Sequence, residues 1–276
     1  MPPGGYPIDL STAGGALPQA RASADGGNYP HWSGKHELHW SLGNTVFSVD
    51  ATVALAPVDD AGSSPLPVRQ GTTIDLDIDS DVPTGTVALV GARVVSMADA
   101  QGGSVDDAVV LIDGNRIAAV GPRSDVTVPE DARVVDVSGK TIIPGLIDAH
   151  AHGAQGDDII PQQNWVNHAT LALGVTTVHD PSNDATEIFA AAEMQRSGRI
   201  LAPRIFSTGD IVYGAKSAYF ANVDNAEEAR EHVRRLKAHG AISIKNYNQP
   251  RREQRQQVAA AAREAGMMVV AEGGSL

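Results

Sequence analysis

Thr141-Ile142-Ile143-Pro144-Gly145-Leu146-Ile147-Asp148-Ala149-His150-Ala151-His152-Gly153 is an apolar run that ends in His-x-His. In a β-strand successive side chains point to opposite faces, so residues two apart share one face. The stretch predicts a strand over 142–149, with His150 and His152 side by side at its end. Two imidazoles so placed make half of a divalent-metal site, and the glycine that follows lets the chain turn sharply. A bare His-x-His suits a solvated strand end equally well. Asp148 shares the histidine face and reads as support for the strand or the site rather than as a ligand.

Downstream, short strand signals alternate with capped helices. Residues 163–173 read as a helix stopped by Gly174, and 175–179 as a strand. Asp184-Ala185-Thr186-Glu187 is a capping box that opens a helix to about Ser197, with Gly198 as its stop. A strand over 204–207 follows. Asn225-Ala226-Glu227-Glu228 caps another helix, which places Ala229, Val233 and Leu236 on one stripe and stops at Gly240. Residues 242–244 read as a fourth strand. Pro250 suits the first position of a helix running to Ala265, and 267–271 read as a fifth strand. Short right-handed crossovers between such strands predict a parallel sheet.

Upstream, the chain reads as β-structure. Strand signals cover 87–95, 108–112, 116–120 and 133–137, the middle two joined as a hairpin at Asp113-Gly114-Asn115. Residues 38–43 and 44–49 predict two strands around Gly43-Asn44. Ile74-Asp75-Leu76-Asp77-Ile78-Asp79 alternates apolar and acidic residues and predicts a half-buried strand. Residues 1–30 and 59–65, rich in Gly, Ala, Pro and Ser, read as loops.

Taken whole, Leu111-Ile112-Asp113-Gly114-Asn115-Arg116-Ile117-Ala118-Ala119-Val120-Gly121, then Val134-Val135-Asp136-Val137-Ser138-Gly139-Lys140 and the opening stretch, resembles the amidohydrolase superfamily of metal-dependent hydrolases. The resemblance implies an α/β fold. It would be a partial (β/α)8 TIM-type barrel with about five strands present, preceded by a small β-sandwich. Residues 24–44, from Ala24-Asp25-Gly26-Gly27 to Ser41-Leu42-Gly43-Asn44, are similar to the last blade of a TolB-like β-propeller of the kind fused to such hydrolases. The implied division is a propeller remnant and linker over 1–82, a β-sandwich part over 83–140 and the N-terminal portion of the barrel over 141–276. One blade cannot bury its faces alone, and Thr141 to Leu276 falls well short of the roughly 200 residues a closed barrel needs. The expectation is an internal fragment, inactive by itself, whose proton-handling Asp lies beyond Leu276.

The resemblance also implies a ligand set at the C-terminal ends of the strands, where barrel chemistry sits. His150 and His152 would hold one divalent ion. Lys245, in Ser243-Ile244-Lys245-Asn246-Tyr247, matches a lysine that is carboxylated in many members and bridges two ions; by itself, a strand-end lysine equally snorkels to water. Glu272 stands where many members have a histidine. It would ligate the metal or form a salt bridge at the rim. His179 and Asp180, where relatives often have Arg-Asp, suit support of the site, substrate contact, or simply the end of a strand. Tyr213, with Gly214 and Lys216, is a candidate substrate contact, and Arg251, Arg252 and Arg255 read as a solvated face. The implied cofactor is one or two divalent ions, zinc first, with manganese, iron or cobalt as alternatives. The implied reaction is hydrolysis of a C–N bond in an amide, peptide or cyclic amide by a metal-activated water. A second reading is a non-catalytic protein-binding piece built on the propeller and sandwich parts.

Composition narrows the partners. The 276 residues carry a net charge of −12, which argues against nucleic acid or an anionic membrane surface, while the resemblance implies a small-molecule or peptide substrate. No apolar run reaches about 18 residues, so no transmembrane helix is expected. Met1-Pro2-Pro3-Gly4-Gly5 lacks the features of a signal peptide, whereas the resemblance suggests a periplasmic or secreted protein. With no cysteine, disulfides and thiol nucleophiles are excluded. Phosphate-loop, dinucleotide and G-x-S-x-G signatures are absent. A homo-oligomer is left open.

Overall fold

The computed structural model describes residues 20–55, 67–98, 103–153, 155, 159–213 and 223–272. The loop expected over 59–65, the residues before 20, and Gly214 and Lys216 lie outside them. The chain divides into two compact units, one made of Met1–Asp77 with Thr208–Leu276 and the other of Ile78–Ser207.

The first unit opens with a four-stranded antiparallel sheet in chain order, β1 (Asn28–Ser33), β2 (Glu37–Leu42), β3 (Thr45–Asp50) and β4 (Thr72–Thr73). Gly43, at φ +56°, makes the β2–β3 turn where the sequence places it. Across that pair Trp40 stacks on Phe47 with ring centroids 5.6 Å apart. A single turn, α1 (Ala51–Ala54), follows and is capped by Asp50. The Thr52 hydroxyl and then its amide donate to Asp50 and hold that carboxyl below the usual carboxylate range. The strand expected over 74–79 does not form. Ile74 donates one bond to Asn44 O, no ladder extends beyond it among the described residues, and Leu76 and Ile78 are exposed. An alternating pattern becomes a strand only where a neighbour supplies the ladder.

In the second unit, β5 (Thr86–Val95) is the hub of a five-stranded sheet. On one side β6 (Ser104–Asp113) pairs with it antiparallel, and β7 (Arg116–Pro122) pairs with β6. On the other side β8 (Arg133–Asp136) and then β9 (Thr141–Ile142) pair with it in parallel. Ala88, Val90, Ala92 and Val94 alternate into the core, as the period-2 pattern requires. A second sheet is parallel, in the order β10 (Leu146–Asp148), β11 (Val175–Asp180) and β12 (Arg204–Ser207). Its crossovers contain α2 (Trp165–Ala172) and α3 (Ala185–Arg196). Ile188 and Ala191 of α3 pack with Val178, Ile200 and Ile205. Asp184 caps α3 by accepting from the amides of Thr186 and Glu187, and Gly198 ends it at φ +77°.

The single strand predicted over 142–149 is in fact two pieces. β9 pairs with β5 and β10 with β11, and Pro144-Gly145 divides them. Pro144 has no amide to give a ladder. Gly145 runs so close to Thr176 that an added Cβ would stand 1.9 Å from its Oγ1.

The rest of the first unit holds β13 (Val212–Tyr213), α4 (Ala226–His239), β14 (Ser243–Tyr247), α5 (Arg252–Glu264) and β15 (Met268–Glu272). The strands form a parallel sheet, β13-β14-β15. Asn225 caps α4 by accepting from the amides of Glu227 and Glu228, and Glu228 reaches back to the Asp224 amide and the Asn225 side chain. The predicted stripe of Ala229, Val233 and Leu236 is the buried face, and Gly240 ends the helix at φ +111°. Pro250 does not open the next helix. α5 starts at Arg252, and Gln254 accepts from the Arg251 amide at its N-cap. Among the described residues no helix is long and apolar enough to cross a membrane.

Candidate functional site

His150 and His152 lie on the turn after β10, not on the strand itself. Asp148 Oδ1 accepts from the His150 amide at 3.0 Å and bends the chain there, which matches its reading as a support. The Ala151 amide donates to His179 O at 3.0 Å, so pairing with β11 continues past the last residue of β10. The turn brings the two imidazoles edge to face with centroids 5.2 Å apart. His179 contributes this backbone carbonyl from a half-buried position.

Asp180 ends β11 and is 2% exposed. A buried carboxylate needs hydrogen-bond donors, and among the described residues it has three. Oδ1 accepts from the Ser182 amide at 2.9 Å. Oδ2 accepts from the Gly153 amide at 3.2 Å and from Asn183 Nδ2 at 2.9 Å. Asn183 Nδ2 also donates to Gly153 O at 2.7 Å. Gln155, buried, accepts from Asn167 Nδ2 on α2 and packs against Gly153, where a Cβ would meet its Nε2 at 2.9 Å. Sequence reasoning missed Asn183, Gln155 and Asn167. The only signal was Asp180-Pro181-Ser182-Asn183, which reads as ordinary turn punctuation.

In the other unit the parallel register sets Lys245 opposite Val270 and Tyr247 opposite Glu272. Lys245 and Glu272 therefore share a face. Lys245 is 1% exposed, so it does not snorkel to water, and its ammonium donates to Glu272 Oε2. The Glu272 side chain is 43% exposed. Lys245 Nζ also lies 5.6 Å from the centroid of the Tyr247 ring, and Tyr213 tilts against Tyr247 at the same centroid spacing. Asn246 donates to Arg255 O and Gln249 to Val212 O, which pins the turn after β14. Arg252 and Arg255 are exposed, as a solvated face requires, whereas Arg251 pairs with Asp224 at 3.3 Å.

The structure thus brings His150 to His152, and Lys245 to Glu272 and the two tyrosines. The two groups belong to different units. Among the described residues, no cluster of three or more His, Asp or Glu side chains is arranged to hold a metal.

No family model matches the chain. Among curated proteins it is similar to the imidazolonepropionase of Pseudomonas syringae pv. tomato, with 25% identity over 151 residues, which are 52% of this chain and 37% of that protein. It is also similar to the imidazolonepropionase of Pseudomonas putida, with 28% identity over 153 residues and the same shares. The chain therefore spans little more than a third of the length of these relatives. Among solved structures, an amidohydrolase aligns with a TM-score of 0.55 at 22% identity, over 68% of this chain and 56% of that one. A Xaa-Pro dipeptidase with bound methionine in its active site aligns with a TM-score of 0.54 at 20% identity, over the same shares. At that identity the likeness is one of fold, mixed α/β among amidohydrolase barrel proteins. The chain is thus similar in sequence to imidazolonepropionases and in fold to amidohydrolases.

Proposed function

We propose that this chain is part of a hydrolase that cleaves a C–N bond in an amide, peptide or cyclic amide with the help of a divalent metal. The observation that carries the reading is the pair of adjacent imidazoles, His150 and His152, on the turn after a parallel strand. The similarity to imidazolonepropionases supports it.

The reading assigns His150 and His152 to one ion, zinc first, and takes Lys245 and Glu272 as candidate metal ligands. The imidazole pair fits half of such a site. Imidazole nitrogens suit zinc, and two rings 5.2 Å apart lie close enough to share it. Lys245 is buried beside a carboxylate. Once carboxylated it would be an anion beside an anion, and that arrangement calls for a cation. When bound, the metal supplies Lewis acidity and lowers the pKa of a coordinated water. Asp180 and Asn183 hold the turn that carries His152. Asn246 and Gln249 hold the turn that follows Lys245. Tyr213, against Tyr247, offers an aromatic surface to an apolar part of the substrate.

Protein loaded with zinc and desalted should retain roughly one to two ions per chain by elemental analysis, and His150→Ala combined with His152→Ala should lose at least one. Stoichiometric metal retained by that double variant, with the fold intact by circular dichroism, overturns the assignment.

A further inference from the structure

The His-x-His turn is held from β11, the neighbouring strand, by one buried carboxylate. Gly153 donates its amide to Asp180 Oδ2 and accepts at its carbonyl from Asn183, so the residue after His152 is gripped at both backbone polar groups. An ionised carboxylate offers about four acceptor positions. Among the described residues, Oδ2 fills two of its own, with Gly153 and Asn183, while Oδ1 accepts a hydrogen bond from Ser182. Nδ1 of His152 lies 3.7 Å from Oδ1. Nε2 lies across the ring from Nδ1, and the His152 side chain is 56% exposed.

We propose that Asp180 is a positioning residue for His152. It orients the ring and keeps the proton on Nδ1, so that Nε2 presents its lone pair outward. A lone pair on Nδ1 would face a carboxylate and be repelled, whereas an N–H there is attracted. Asn183 donates to the Gly153 carbonyl and acts on the backbone rather than on the ring. The use of this arrangement rests on the reading of His152 as a metal ligand. The tautomer itself belongs to the metal-free protein.

The experiment has two arms on the 276-residue chain. In the first, metal-free protein labelled with 15N-histidine is studied by long-range proton–nitrogen correlation at a pH where imidazoles are neutral, with His152 assigned by its loss in His152→Gln. Wild type is expected in the Nδ1–H form. Asp180→Asn should move His152 toward the Nε2–H form that free imidazoles prefer, and Asn183→Ala should leave the Nδ1–H form in place. In the second arm, zinc affinity is measured by competition with a chelator. Asp180→Asn should weaken it about 10- to 100-fold, the usual effect of losing a carboxylate behind a histidine ligand. An Nε2–H tautomer in wild type overturns the proposal, even if Asp180→Asn fails to fold. So does an unchanged tautomer with unchanged zinc affinity in a folded Asp180→Asn protein. If the tautomer is as expected but wild type binds no zinc, the positioning role stands and the metal reading fails.

Discussion

Lys245→Met is expected to leave the protein as stable as wild type or more so, whereas Glu272→Ala destabilises it. The Lys245 ammonium is 1% exposed, and Glu272 is its carboxylate partner. Removing a buried charge along with its desolvation cost, and filling its place with an apolar side chain of similar length, is often neutral or stabilising by about 1–4 kcal/mol. The carboxylate left behind is 43% exposed and keeps its water. Glu272→Ala does the reverse and leaves an ammonium buried without its counter-charge. Breaking a buried pair in this way costs about 3–5 kcal/mol, and the partial exposure of Glu272 places the expected loss near 3. The Tyr247 face, 5.6 Å from Nζ, offsets only about 0.5–1 kcal/mol of this. Urea unfolding with an unchanged m-value is the measurement. A Lys245→Met protein that loses more than about 2 kcal/mol would show that the pair is there to stabilise the fold, because removal of a costly buried charge predicts the opposite sign.

Gly198→Ala is expected to cost about 3 kcal/mol, roughly 1–2 for a side chain at left-handed φ and the rest for the displaced contact. The glycine stands at φ +77° beyond α3, and a Cβ there would lie 1.9 Å from Asp81 O and 2.8 Å from Asp81 C. These are backbone atoms that cannot swing aside. The Asp81 amide donates to Ser197 O at 2.7 Å and Arg199 donates to Asp79 O at 3.1 Å, so moving residues 79–81 puts both bonds at risk. Gly174→Ala is the control. At φ +88° with nothing within 4 Å of an added Cβ, it should show the left-handed cost alone, about 1–2 kcal/mol. Equal losses for the two variants would mean that the Asp81 contact does not constrain position 198.

Residue order by itself determined whatever is settled within a few positions along the chain. Asp184 and Asn225 cap their helices because a short acceptor meets amides two and three residues on. Ala229, Val233 and Leu236 form the buried stripe because a helix repeats every 3.6 residues. His150 and His152 meet because they are two apart, although a turn and not a strand brings them together. Tertiary structure alone decided what depends on a partner remote in the chain. Ile74 to Asp79 has the strand pattern but, among the described residues, lacks a ladder beyond Ile74, and residues 142–149 divide between two sheets because β5 and β11 each claim one end. The burial of Lys245 against Glu272 follows from the parallel register of β14 and β15. The grip of Asp180 and Asn183 on Gly153 follows from that of β10 and β11. Caps and periodicities are read from neighbours in sequence, whereas strand register is chosen by which distant segments close together, and a one-residue slip would turn every one of these side chains to the other face.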